Sequence, residues 1–248
     1  LDSFYRALID IGVAFADVNP DRIYLMGYSA GGDGVWRMAP RMADAWAAAS
    51  MMAGHPGDVS LVNLRNTPFM IWCGAEDSAY DRNVLDAKRG VQMDSLHRSD
   101  PEGYIHETHI MPGKGHWMDR ADTVAVSWMR KYVRNPYPKR IVWRQEAVLR
   151  PSFYWISVPE KEMERGKTVR LAVAKNTIDI TECDYSELTL WLNDNIVDLD
   201  KNVKVRFNGK TIYRGKAMRT EKNLHDTQFS RNDLRFAFPS KIVLHIRG

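Results

Sequence analysis

The sequence is short of several things, and each shortage removes a class of protein. It has two cysteines, Cys73 and Cys183, in 248 residues. That is too few for a disulfide framework or a thiolate metal cage. No apolar run approaches the ~20 residues that span a bilayer. Lys+Arg exceed Asp+Glu by 35 − 31 = +4, but the charges are interspersed and no basic run occurs. The electrostatic footprint of a nucleic-acid binder is therefore absent. There is no internal repeat, no low-complexity segment and no leader-type segment. The first residue is Leu1, and the chain runs straight into a helical pattern, so targeting cannot be read from it. What is there is an ordinary globular composition, 44% hydrophobic and 27% charged, enough for one or two domains with real cores.

The first ~135 residues alternate helix and strand signals. Phe4, Leu8, Ile11 and Phe15 fall at helical spacing behind Asp2 and Ser3. Asn19-Pro20-Asp21 ends that helix. Ile23–Met26 reads as a buried strand, 31–43 as a helix, and Trp46–Met52 and Phe69–Cys73 as strands. Residues 81–97 read as a helix, Tyr104–Met111 as a strand, and Met118–Val133 as a last helix with an apolar stripe. Near-continuous apolar strands separated by helices predict a parallel sheet covered on both faces. Residues 134–140, with two prolines and three charges, have linker composition.

Beyond the linker the hydrophobic period becomes two. Thr168–Ala174, Glu187–Leu192 and Ile242–Ile246 read as strands. Val203–Phe207 and Lys210–Arg214 flank Asn208-Gly209, the dipeptide that supplies the two positive-φ positions of a type I′ hairpin turn. Residues 141–248 are expected to be a small, sandwich-like all-β domain.

Chemistry concentrates in Gly27-Tyr28-Ser29-Ala30-Gly31. In a G-x-S-x-G turn the serine sits in a strained strand-to-helix corner, and the glycines let strand and helix pass closely. The turn lifts Oγ out of the sheet beside a helix N-terminus, and the next backbone N–H, that of Ala30, faces a developing oxyanion. A nucleophilic serine needs a base, and the base needs an orienting carboxylate. Both are expected just past strand C-termini. Gly74-Ala75-Glu76-Asp77 follows one strand and Pro112-Gly113-Lys114-Gly115-His116 another. Asp77 is the candidate acid, with Glu76 and Asp81 as rivals, and His116 is the candidate base. Tyr28, His55 and Trp117 are candidates for lining the site. His106 and His109, an odd number apart on one strand, should face opposite ways and cannot pair on a metal. No metal or organic cofactor is expected. Asp198-Leu199-Asp200-Lys201-Asn202 lacks the Gly and distal Glu of a calcium loop and reads as a solvated turn. Phe153-Tyr154-Trp155 is either core or a sugar-stacking platform.

Gly27–Gly32, Gly74–Asp77 and Gly115-His116 resemble the nucleophile elbow, acid turn and histidine loop of the α/β-hydrolase superfamily. The nearest flavour is that of polyhydroxybutyrate-depolymerase-like and feruloyl-esterase-like enzymes, bordering on prolyl-oligopeptidase-like peptidases. The resemblance covers residues 1 to about 133. It implies an α/β fold and acyl transfer to water, with a small-molecule or polymer ester as substrate. A peptide substrate is the first alternative. A carbohydrate- or polymer-binding chain that is inactive as given is the second. The family sheet has about eight strands with the elbow after the fifth, whereas one helix precedes the elbow here. The resemblance therefore implies the C-terminal half of the sheet, an exposed edge at residues 22–28, and a preceding segment of the same enzyme that supplies the second oxyanion donor.

Overall fold

The computed structural model describes residues 2–231 and 233–246. The chain packs as two units, Leu1–Asn135 and Pro136–Gly248. Unit one runs α1 (Asp2–Phe15), β1 (Tyr24–Tyr28), α2 (Ala30–Arg41), β2 (Ala48–Met52), β3 (Phe69–Gly74), α3 (Arg82–Ser99), β4 (His106–Met111) and α4 (Val124–Met129). The strands lie in the order β1-β2-β3-β4, all parallel.

Every residue of the central strands β2 and β3 is buried, as apolar runs in a doubly covered parallel sheet must be. The two-residue side-chain period divides them between two cores. Ala49, Met51, Phe69 and Ile71 join Val35, Trp36 and Met42 of the α2 region and Met93 of α3. Ala48, Met52, Met70 and Trp72 join Ala125, Trp128 and Met129 of α4.

Four local expectations change. The strand at 24–28 is a half-buried edge: only Leu25 is fully buried and Met26 is 47% exposed. The helix over 118–133 shrinks to Val124–Met129, because Asp119 and Arg120 adopt left-handed φ of 52° and 65° and break it at its start. The stripe Phe4, Leu8, Ile11, Phe15 exists on α1 but faces outward. Tyr5 and Ile9 are the α1 side chains that pack on the core. Arg134, first residue of the linker stretch, is buried in unit one, where it bonds Asp21 and the Asp44 carbonyl. Arg140, at the other end of that stretch, already lies on the next strand.

Unit two contains β5 (Arg140–Arg144), β6 (Ser152–Phe153), β7 (Ile156–Ser157), β8 (Thr168–Ala174), β9 (Thr177–Cys183), β10 (Glu187–Leu192), β11 (Val203–Phe207), β12 (Lys210–Gly215), α5 (Glu221–Arg231) and β13 (Ser240–His245). They form two sheets, β13-β10-β7-β6 and β12-β11-β9-β8-β5. Trp143 of one stacks on Phe153 of the other, ring centroids 5.8 Å apart. Asn208 and Gly209 take φ of 48° and 80° and close the expected β11–β12 hairpin. The unit is not all-β. The eleven-residue α5 lacks an apolar stripe and is started by Thr220, whose hydroxyl accepts the Asn223 N–H.

Candidate active site

β1 ends by feeding Ser29 into a corner with φ 57° and ψ −119°, a region L-residues avoid. The surroundings over-determine it. The Ser29 N–H donates to the Met52 carbonyl at 2.9 Å, and the Ser29 carbonyl accepts the Asp33 N–H at 3.0 Å. Ala30 is the first residue of α2, so its N–H has no intrahelical acceptor. The side chain of Ser29 is thereby held at the C-terminal edge of the sheet.

Of the two motif glycines, only one acts as the motif implies. A Cβ on Gly27 would collide with the Gly31 carbonyl, so Gly27 is the close-approach residue. A Cβ on Gly31 would meet nothing within 4 Å. A Cβ on Gly32 would lie 2.5 Å from the Met52 carbonyl oxygen and 2.9 Å from Gly54 Cα. Gly32, outside the motif, lets α2 pack on the end of β2. Gly31→Ala is accordingly expected to leave the melting temperature within about 2 °C, since exposed helical Gly→Ala changes are worth under ~1 kcal/mol. Gly32→Ala is expected to lower it by more than about 5 °C, in the range of overpacked cores. Thermal melts of the two variants check this, and equal losses would refute the assignment.

Asp77 and His116 leave the ends of the neighbouring strands β3 and β4. Their loops are laced together: the Ala75 N–H donates to the Met111 carbonyl at 2.9 Å, and the Glu76 N–H to the Lys114 carbonyl at 2.8 Å. Gly74 allows this, because a Cβ there would overlap the carbonyls of Lys114 and Gly115. The result is one hydrogen-bonded series. His116 Nε2 lies 2.9 Å from Ser29 Oγ, and His116 Nδ1 lies 2.7 Å from Asp77 Oδ2. Asp77 is 2% exposed, whereas the rival acids Glu76 and Asp81 are exposed. Its other oxygen faces Arg82 at 3.5 Å, and Arg82 also stacks over the Tyr80 ring. Asp77 does not cap α3 through its side chain.

The lining candidates separate. Tyr28 donates its hydroxyl to the His116 carbonyl, and its ring lies 5.4 Å from the His116 ring and 6.0 Å from Trp117. Burial, then the charges of Asp122 and Asp77, push its phenol above the usual range. Trp117 is 57% exposed beside the Tyr28 ring. His55 is not joined to Ser29 or His116 by any hydrogen bond among the described residues. Its N–H donates to Asp33 and its Nδ1 accepts the Gly57 N–H. His106 faces Asp94 on α3, while His109 stacks on Trp72 in the opposite core. Among the described residues no cluster of His, Cys, Asp or Glu could hold a metal ion, and no helix is long and apolar enough to cross a membrane.

No family model matches the chain, and no curated protein does. Several solved structures are similar to part of it, three of them as follows. The esterase PE8 aligns at 20% identity and TM-score 0.39, over 51% of this chain and 58% of that one. A thermostable esterase aligns at 22% and 0.40, over 53% and 37%. A SOBER1 variant from Arabidopsis thaliana aligns at 20% and 0.36, over 52% and 61%. The matched segment thus spans between about a third and three fifths of those chains.

Two residues at the back of the site carried no sequence signal. Asp86 on α3 is fully buried, and among the described residues only the nearby Cys73 thiol and Trp36 indole are placed to donate to it, outside ordinary hydrogen-bond geometry. Burial pushes its carboxyl up to about 7. The nearby Cys73 thiol, Trp36 indole and Arg82 oppose the rise, and the Asp77 charge adds to it. Arg82 was equally unmarked, since its contact with Asp77 arises only when the turn between them folds.

Proposed function

We propose that the chain is a serine hydrolase acting on carboxylic esters, with Ser29, His116 and Asp77 as its triad. The observation that carries this reading is the unbroken series Oγ–Nε2–Nδ1–Oδ2, at 2.9 and 2.7 Å, mounted on a strained strand-to-helix corner. A structural serine has no need of such a conformation, nor of a histidine whose far nitrogen is fixed by a buried carboxylate.

In this mechanism Ser29 Oγ attacks the ester carbonyl carbon as its proton passes to His116 Nε2. Asp77 accepts the Nδ1–H bond, fixes the tautomer and stabilises the imidazolium. The Ala30 N–H donates to the tetrahedral oxyanion, a contribution of ~3 kcal/mol per donor. The imidazolium then protonates the leaving alkoxide. Water, deprotonated by the same nitrogen, hydrolyses the acyl-enzyme. No step calls for a metal or organic cofactor. A peptide amide would follow the same course, and parallel assays on ester and dipeptide-amide substrates separate the two.

We further propose that full turnover needs a second oxyanion donor from a preceding segment that pairs with β1. Two features support this. The β1 edge carries the exposed Met26, and the outer face of α1 carries an exposed stripe from Phe4 to Phe15.

The test is labelling with a fluorophosphonate probe, read by peptide mass. Phosphonylation needs the activated serine and is expected at Ser29 alone, with Ser29→Ala unlabelled. Labelling at another residue, or equal labelling of Ser29→Ala, would overturn the reading.

A further inference from the structure

The sugar-stacking platform considered at Phe153-Tyr154-Trp155 is ruled out, because all three rings are fully buried. A different tryptophan of unit two stands where such a platform belongs. β10 alternates, with Leu188, Leu190 and Leu192 buried and Glu187, Thr189 and Trp191 on the outward face. A tryptophan on the outward face of a sheet normally either packs under another element or meets a ligand. Trp191 is half-buried at the floor of a cleft of about 290 Å³, near the lower end of the ~300–1,000 Å³ range of ligand sites.

The walls are rich in hydroxyls. Ser152 and Ser157 are register partners on β6 and β7 and sit side by side on the same cleft wall. Ser230, from α5, and Glu160, from the loop after β7, close the other sides. Ser157 Oγ accepts the Trp191 indole N–H at 2.8 Å, which fixes the ring and leaves the serine proton free to donate. Lys241, opposite Trp191 on β13, lies over its ring at 5.3 Å. The Ser152 hydroxyl and the Glu160 carboxylate engage no group among the described residues.

We propose that this cleft binds a neutral pyranose ring, either free or as a unit of a polysaccharide. A pyranose has an apolar C–H face to lie on the indole. Its rim of hydroxyls both donates and accepts, matching Ser152, Ser157, Ser230 and Glu160. The competing ligand classes fit less well. A purely apolar ligand would bury Ser152 and Glu160 without partners, at a cost of ~1–3 kcal/mol each. An anionic ligand would meet the Glu160 carboxylate, and the Lys241 ammonium, already held over the Trp191 ring, is not among the residues lining the cleft.

The proposal is independent of the hydrolase reading and is tested on the whole chain. Glucose, galactose, mannose and xylose, and tetrasaccharides of each, are titrated by saturation-transfer NMR. Transfer to at least one sugar is expected, with binding about tenfold weaker in Trp191→Ala, the loss of one stacked ring contact. Equal affinity for monosaccharide and tetrasaccharide would mark a one-ring site, and tetrasaccharide-only binding a polymer site. Ser152→Leu, which fills the cleft without removing the tryptophan, is expected to abolish transfer at an unchanged melting temperature. It guards against a folding defect in Trp191→Ala. No transfer to any sugar by the folded chain, or full affinity in both variants, would overturn the proposal.

Discussion

Replacing His116 with alanine is expected to lower kcat on an activated ester by about 10⁵–10⁶-fold, with KM changed little, because the general base acts only as the transition state forms. Asp77→Asn is expected to cost about 10⁴-fold by a different route. The buried amide would present its NH2 to His116 Nδ1, now 2.7 Å from the carboxylate. The ring would then carry its proton on Nε2, facing Ser29, and could not accept another. The exposed rivals provide the contrast. Glu76→Gln and Asp81→Asn alter side chains that do not reach the histidine, and both are expected to retain activity within about threefold, as surface substitutions usually do. Steady-state kinetics on the four variants, with a melting curve for each, decides the matter. Loss of activity in Glu76→Gln equal to that in Asp77→Asn would remove Asp77 from its role.

The geometry of a parallel sheet explains why the three side chains brought together here could be singled out in the sequence. A serine at a strand-to-helix corner, followed by an acid and a histidine past later strand ends, is forced into a recognisable order by the parallel sheet. β2 and β3 were legible for a related reason: a strand buried on both faces has no room for polar residues. What escaped depends on contacts that no local pattern records. Gly31 and Gly32 are chemically identical in sequence, and only the position of Met52 and Gly54 shows which one must lack a side chain. The start of α4 is broken by Asp119 and Arg120 in left-handed conformations, with no glycine or proline to announce it. α5 was missed because its stretch, from Glu221 to Arg231, is mostly polar and lacks an apolar stripe. Phe153, Tyr154 and Trp155 fit core more readily than a surface platform, as aromatics in a small β domain usually do, and they are buried there, with Trp143 stacked on Phe153.

Asp86→Asn is expected to stabilise unit one above pH 7 and to leave it unchanged near pH 4. The sign follows from the direction of the shift. Burial raises the folded-state carboxyl from 3.8 to about 7. Below pH 4 both folded and unfolded chains hold the proton, and no penalty arises. Between pH 4 and 7 the unfolded chain releases it and the folded chain keeps it, so stability falls as pH rises. Well above pH 7 the penalty is complete, about 4 kcal/mol. Asparagine is close in shape and carries no charge, so its stability should not follow that slope. The Asp77 charge adds to the rise and Arg82, which also faces Asp77, opposes it. Melting temperatures of wild type and Asp86→Asn from pH 4.5 to 8.5 make the comparison. Curves that diverge by several degrees toward high pH are expected, and parallel curves would show that Asp86 is ionised in the folded protein throughout.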